Sequence, residues 1–440
     1  MKKIILILGA LGLVGLAPLS AASSELKFTE FNLDNGLHVI LHRDNSIPTV
    51  TVAVMYNVGS KHEQPNRTGF AHFFEHLMFE GTKNIGRGEY PKYVERAGGT
   101  LNANTSADRT YYYQILPSNQ LELGLWLESE RMLHATVDSI GIATQKQVVI
   151  EEKKQSYDNR PYGTFLIETM KRAFREHPYR WTTIGDPEHI MAAKDEEFEQ
   201  FYNTFYVPNN AVLVVAGDID ENSARSLVEK YYGDIPSGSG TIQRPSIVEP
   251  PLGGEIRDTI FDNIQVPLVL QAYRVPGMGT DDYYALEMLG TLLSGGESSR
   301  LYKELVDKKQ LSLEVAAMPL PFNEPTVSFI LGFCNIGVDP ADLEAAIDDE
   351  IAKVRNELIS EREFQKLRNQ FENQIIQENV WIEERAHNLA TLYTYFGDAT
   401  LINKTLDRYM SVTREDIQRV AQKYLVPENR VVLYYLPRQN

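Results

Sequence analysis

The chain has 440 residues, 43% of them hydrophobic, with 60 acidic against 43 basic side chains and a formal charge of −17. The length suggests roughly two or three domains, and the acidic balance argues against nucleic acid as a partner, because that requires a basic surface. The single cysteine, Cys334, rules out an internal disulfide and lies in an apolar, strand-like run that predicts a core position.

Residues 1–22 read as a secretory signal: Lys2 and Lys3, an apolar run from Ile4 to Leu16, then the small residues Ser20-Ala21-Ala22. The run is too short for a stable transmembrane helix. An exported chain is expected, periplasmic or secreted, with no stable membrane anchor after cleavage; an uncleaved anchor is the alternative. Thr49 to Tyr56 predicts a strand.

His72-Phe73-Phe74-Glu75-His76 comes next. On a helix, four residues amount to about 40° of net rotation and one turn of rise, so both imidazoles leave one face. They can share a metal ion, with Glu75 beside it and free to act as a base. This H-x-x-E-H order is the inverse of H-E-x-x-H, and both put two zinc ligands and a carboxylate on one turn. The competing reading is a pair of structural histidines. Against it, Phe73, Phe74, Leu77 and Phe79 give the helix an apolar body to bury, and Gly81 marks its end. A zinc ion needs a third protein ligand. Glu80 lies about 12 Å along the axis from His72, too far to share the ion, so the ligand must come from elsewhere. The best local candidate is the segment from Gln145 to Lys154, whose carboxylates could equally belong to a solvated helix face.

Gly98 to Ser106 and Thr110 to Gln114 read as a strand pair, the alternative for its side chains being an ordinary hairpin with core tyrosines. An internal repeat then appears. Phe205 to Val215 matches Tyr424 to Tyr434 at a constant offset, and each copy runs from a proline turn into a β-branched strand behind an acidic amphipathic helix. Residues 235–254 are rich in Pro, Gly and Ser. The expected division is a first domain at 23–240, a linker at 241–255 and a related second domain at 256–440. Val266 to Tyr273 opens the second half as a strand, and Glu344 to Glu378 predicts a packed helix pair. Strands followed by helices indicate an α+β fold.

The motif and the position of Glu152 after it resemble the pitrilysin and mitochondrial-processing-peptidase family of zinc metallopeptidases, in the form of a two-domain bacterial-type subunit. So do Asn35-Gly36-Leu37, Gly59-Ser60, Gly69-Phe70-Ala71, Gly81-Thr82, Asn102 to Ser106 and Tyr179 to Gly185, so the resemblance covers essentially the whole mature chain. It implies two related α+β domains, each a mostly antiparallel sheet with helices packed on it, facing across a cavity, with zinc only in the first. It implies one Zn2+ per chain held by His72, His76 and Glu152, with Glu75 as general base toward zinc-activated water. It also implies an edge strand, containing Asn102, Ala103, Asn104 and Thr105, that binds extended peptide by strand addition. The expected activity is that of a zinc metalloendopeptidase cutting peptides or unfolded segments. The alternative is a non-proteolytic scaffold or assembly subunit that kept the fold.

Two departures from the family pattern stand out. Gln145 occupies the position of a glutamate often found beside the metal. Val306 and Leu313 occupy the positions where active single-chain members place an Arg and a Tyr that clamp substrate, and Arg300 and Tyr302 have the wrong spacing to replace them. That combination implies a heterodimer in which a related subunit supplies the clamp. A homodimer using Arg300 or Tyr302 is the alternative.

Overall fold

The computed structural model describes residues 25–438; the signal expected at 1–22 lies outside the described residues. Alternating apolar residues build two mixed sheets. The first holds β1 (Thr29–Asn32), β2 (His38–Arg43), β3 (Thr49–Tyr56), β4 (Thr100–Thr105), β5 (Thr110–Pro117) and β6 (Ala211–Gly217) in the order β1-β2-β6-β3-β5-β4. The second holds β7 (Ile256–Asp262), β8 (Leu268–Val275), β9 (Ser312–Pro319), β10 (Thr326–Cys334) and β11 (Arg430–Pro437) in the order β7-β11-β8-β10-β9. β6 runs parallel to β2 and antiparallel to β3, and β11 runs parallel to β7 and antiparallel to β8. The sequence repeat is therefore a structural one. Helix Asp195–Phe205, the turn at Pro208 and β6 recur as helix Arg414–Tyr424, the turn at Pro427 and β11. The α+β architecture expected from the sequence is present, and no helix or strand occurs between Tyr232 and Ile256. Cys334 is fully buried, as its apolar run predicts.

Both faces of each sheet are covered. In the first sheet Val50, Val52, Val54 and Tyr56 of β3 face one side, with Val39, Leu41, Leu213 and Val215, and pack under helices of the first half. Ile40, Ala53, Met55, Val212, Val214 and Ala216 face the other side. Their cover comes from the second half: Ala386, Leu389 and Ala390, spaced to share one face of the Ile382–Phe396 helix. The second sheet shows the converse. Leu268, Leu270, Ala272, Val431 and Leu433 receive Met170 and Ala173 of the first-half helix Phe165–Ala173. Each half thus lends a helix to the other's sheet, and separating them would expose two apolar faces.

A buried ionic junction reinforces this exchange. Lys61 Nζ lies 2.9 Å from Asp108 Oδ1 and 2.8 Å from Glu324 Oε1. The Tyr179 hydroxyl donates to Asp108 Oδ1 at 2.6 Å, and the Asn323 backbone N–H donates to Asp108 Oδ2 at 3.0 Å. His177 Nε2 stands 2.9 Å from Glu324 Oε2. Asp108 sits in the β4–β5 turn and Glu324 in the β9–β10 turn, so the tips of the two hairpins are locked together. Burial raises the Glu324 carboxyl, but hydrogen bonds from His177 and Lys61 outweigh it and hold the group down to about 2. Glu324→Gln should therefore destabilise the protein by about 1–3 kcal/mol in urea unfolding at pH 7. A carboxyl whose folded pKa is depressed stabilises above its unfolded value of 4.5 and loses that contribution as pH falls toward about 2. The gap between wild type and variant should shrink over that window. A gap that stays constant down to pH 3 would show that the pair's charge is not what stabilises the junction.

Candidate metal centre

The motif helix runs Phe70–Leu77, ending sooner than Gly81 suggests because the chain turns at Met78 and doubles back, with Gly88 N–H donating to Glu80 O at 3.0 Å. Its start is fixed by Gly69, at φ +94, and by Glu63, whose carboxylate accepts from Gly69 N and Ala71 N at 2.8 Å each. Burial pushes the Glu63 carboxyl up to about 8 even against those bonds. Only glycine fits at 69 and 185: a Cβ on Gly185 would meet Gly69 N at 2.3 Å. Phe70 and Phe73 anchor the helix on Phe198, with ring centroids 4.7 and 4.6 Å apart. His72, Glu75 and His76 lie on the half-buried side that remains.

Glu152 comes from the helix Ser139–Lys153, whose start is capped by Asp138 accepting from Gly141 N at 2.7 Å. Three donor atoms converge. The two imidazole Nε2 atoms are 3.3 Å apart, and Glu152 Oε2 is 3.1 Å from that of His76 and 3.6 Å from that of His72. Tetrahedral zinc ligands at ordinary bond lengths stand roughly 3.3–3.4 Å from one another, so the donor set fits zinc. Among the described residues this is the only group of three or more His, Cys, Asp or Glu side chains gathered as a metal site. Its protonation also suits a cation. Burial lowers the His72 pKa, favouring the neutral ring, and the His76 hydrogen bond lowers that of Glu152. Glu151 points away, exposed, accepting from Gln155 Nε2 at 2.9 Å.

Glu75 stays outside the cluster. Its Oε2 accepts from the Thr105 hydroxyl at 2.6 Å. Among the described residues β4, which carries Thr105, is an edge strand paired only with β5. Ala103 is buried in the core of the first half, while Asn102 and Asn104 are exposed. Asn102 Oδ1 accepts from Ala103 N at 2.9 Å, and Asn104 O accepts from Arg109 Nη1 at 3.0 Å. Of the four residues singled out on this strand, Thr105 reaches the motif carboxylate directly, and the outer main chain of β4 is left without a strand partner. Gln145 does not join the cluster. Its amide donates to Glu80 Oε1 at 2.5 Å, and Glu80 also binds Arg87. Sequence reasoning passed over Glu63, Thr105 as a partner of Glu75, and Tyr157. The Tyr157 phenol is pushed up by burial and by the nearby charges of Glu152 and Glu75. In the second half Val306 is half-buried and Leu313 is 51% exposed on β9. Arg300 is held by Glu363 at 3.0 and 3.2 Å.

Comparisons with known proteins give the chain's family. The family model for insulinase-type peptidases, family M16, matches residues 38–186, and that for the M16 peptidase inactive domain matches residues 193–371. A zinc protease of Helicobacter pylori, PqqE, is 29% identical over 424 residues, covering 96% of this chain and 95% of that one. An uncharacterized zinc protease of Bacillus subtilis, YmxG, is 25% identical, covering 79% of this chain and 83% of its own. The crystal structure of a protease from Helicobacter pylori superposes with a TM-score of 0.90 at 28% identity, over 93% of this chain and all of the other. The periplasmic protease PqqL of Escherichia coli shares the fold at a TM-score of 0.75 and 19% identity, over 93% of this chain but 47% of its own. Two successive domain models of one family, together spanning more than half of the sequence, and relatives matched nearly end to end lead to one assignment: the chain belongs to peptidase family M16.

Proposed function

We propose that this chain is an exported zinc metalloendopeptidase that cuts peptides or unfolded segments, with His72, His76 and Glu152 as the residues that would hold the metal. The observation that carries this reading is the convergence of those three donor atoms beside a fourth group, Glu75, that is not among them. Zinc bound there would supply a Lewis acid that polarises a peptide carbonyl and lowers the pKa of water toward ~7. Glu75 takes the proton from the attacking water and returns it to the leaving amine. Thr105 holds Glu75 in place for both transfers. The unpaired edge of β4 gives an extended substrate main-chain hydrogen bonds with little demand on side-chain identity. The relatives named zinc proteases and the E. coli neighbour described as periplasmic support the same reading.

The test is metal analysis of the purified mature chain and hydrolysis of an unstructured protein by that chain together with its co-purifying partner. About one zinc per chain is expected, with activity lost on chelation and regained on adding zinc. A chain free of zinc after purification in its presence would favour a scaffold role. Thr105→Val should lower turnover about 10–150-fold, since a hydrogen bond to a charged group contributes roughly 1.5–3 kcal/mol. Zinc content should be unchanged; a variant as active as wild type would remove Thr105 from the mechanism.

The chain works, on this reading, with a related subunit that supplies the Arg and Tyr clamp. Val306 and Leu313 offer no polar group at those positions, and Arg300 is already engaged by Glu363 within its own half, which weighs against a homodimer built on it. The E. coli neighbour, about twice as long as the part this chain matches, is consistent with the fold working as one of two units. Hydrolysis should therefore be weak for the pure chain and rise when its co-purifying partner is added. Full activity of a pure homo-oligomer, unchanged when Arg300 is removed, would overturn the pairing.

A further inference from the structure

Far along the chain from the metal centre, the second half holds a cavity of about 200 Å³. It lies between the helices Asp281–Ser294, Glu361–Glu378, Ile382–Phe396 and Thr405–Ser411. Five aromatic side chains line it: Tyr283, Tyr284, Phe371, Phe396 and Tyr409. Phe371 stacks on Tyr409 with centroids 4.7 Å apart, and Tyr284 meets Tyr409 edge-on at 4.9 Å. Among the described residues, two carboxylates line it and no lysine or arginine does. Glu378 is exposed and takes a hydrogen bond from Gln374 at 2.8 Å. Glu287 lies deeper, where it accepts from the Tyr409 hydroxyl.

The lining also holds polar atoms with nothing to bind. Asn379 Oδ1 and Thr391 Oγ1 are buried and unpartnered among the described residues, while Tyr283, only 2% exposed, turns its hydroxyl to the Glu287 carboxyl. Buried polar groups in a finished core are paired, so unpaired ones around a cavity call for an occupant. Burial pushes the Glu287 carboxyl up to about 7, and the charge of Glu378 acts in the same direction. The adjacent cation, Arg408, is tied to the cavity wall from behind: it donates to Gly279 O at 3.1 Å and to the Tyr284 hydroxyl at 3.2 Å.

A carboxyl at the base, aromatic side chains in the walls and unused acceptors suit an organic cation, whose charge would favour the ionised form of Glu287. Ring faces attract ammonium groups, and a carboxylate forms its stronger hydrogen bonds with a charged donor. A bare metal ion fits less well, because these carboxylates do not form a metal-type cluster with other His, Cys, Asp or Glu side chains among the described residues. The volume admits a few heavy atoms. We propose that this cavity binds a primary alkylammonium group, with Glu287 at the base, Glu378 at the mouth and the aromatic side chains around the alkyl stem. The same helix that contributes Thr391 and Phe396 to the cavity lays Ala386, Leu389 and Ala390 on the first sheet. An occupant would therefore brace the helix that joins the two halves.

The probe is n-butylammonium chloride, titrated calorimetrically into the full mature chain, with n-butanol and sodium chloride as controls. Saturable binding of the amine and none of either control is expected. Glu287→Gln should weaken binding at least tenfold, and Thr391→Leu, which fills the cavity from another wall, should abolish it. Using two walls keeps the test valid if one variant fails to fold. A lysine-bearing peptide, with and without acetylation of its amines, separates the sources. Tighter binding of the free peptide assigns the site to peptide amines, and binding no tighter than butylammonium assigns it to small free amines. Butylammonium binding no better than butanol, or unaffected in every folded variant, would overturn the site.

Discussion

Glu75→Gln is expected to keep its zinc and lose about 10²–10⁴-fold in turnover, the range that removal of a general base produces. The substitution keeps the shape of the side chain, and its amide oxygen can still accept from the Thr105 hydroxyl that now holds Glu75 at 2.6 Å. It removes the ability to take a proton from water and hand it on. The three donor atoms of the metal cluster come from other residues, so zinc content should not fall. The variant should still capture extended peptide along β4, which makes it useful for trapping substrate. The measurements are zinc per chain and hydrolysis of an unstructured protein, made on the same preparation together with whatever partner it needs. Zinc retained with hydrolysis near the wild-type rate would assign the base to another group. Zinc lost with activity would instead mean that Glu75 belongs to the binding set.

The parts of this fold legible in the sequence were those with a local period or a local chemical reason. The β-branched strand behind the Pro208 turn recurs behind Pro427, and the structure puts both copies at equivalent places in their sheets. The histidines four apart identified a helix face without the structure. Long-range choices of partner were not legible. Ala386, Leu389 and Ala390 mark an apolar helix face, but nothing in their spacing says that it covers β3 and β6 of the other half rather than its own sheet. Lys61, Asp108, Tyr179 and Glu324 look like solvated residues scattered along the chain until two hairpin tips bring them together. Glu63 was invisible for a related reason. It precedes the motif helix by a loop, and only the left-handed turn at Gly69 aims the first helical N–H groups at its carboxylate. Gln145 was noticed as a departure from a family pattern, but its attachment to Glu80 rather than to the ligand cluster needed coordinates.

The choice between two adjacent glutamates gives the other large effect. Consecutive residues on a helix diverge by about 100°, so Glu151 and Glu152 cannot both face the histidines. Glu152 Oε2 lies 3.1 Å from His76 Nε2, whereas Glu151 is exposed and bonded to Gln155. Glu152→Gln replaces an anionic ligand with a neutral amide that coordinates zinc poorly, leaving two imidazoles on a single helix. Loss of an outer partner of a ligand alone weakens metal binding by about 10–100-fold, so loss of the ligand itself should exceed about 100-fold. Glu151→Gln changes a surface charge and should leave affinity within about twofold, since an exposed charge of this kind contributes little. Competition with a chelator of known strength reads both affinities without relying on activity, and circular dichroism checks that each variant is folded. Equal loss of zinc in the two variants, or in neither, would mean that the third ligand is not Glu152, and the metal centre would then have to be rebuilt around another residue.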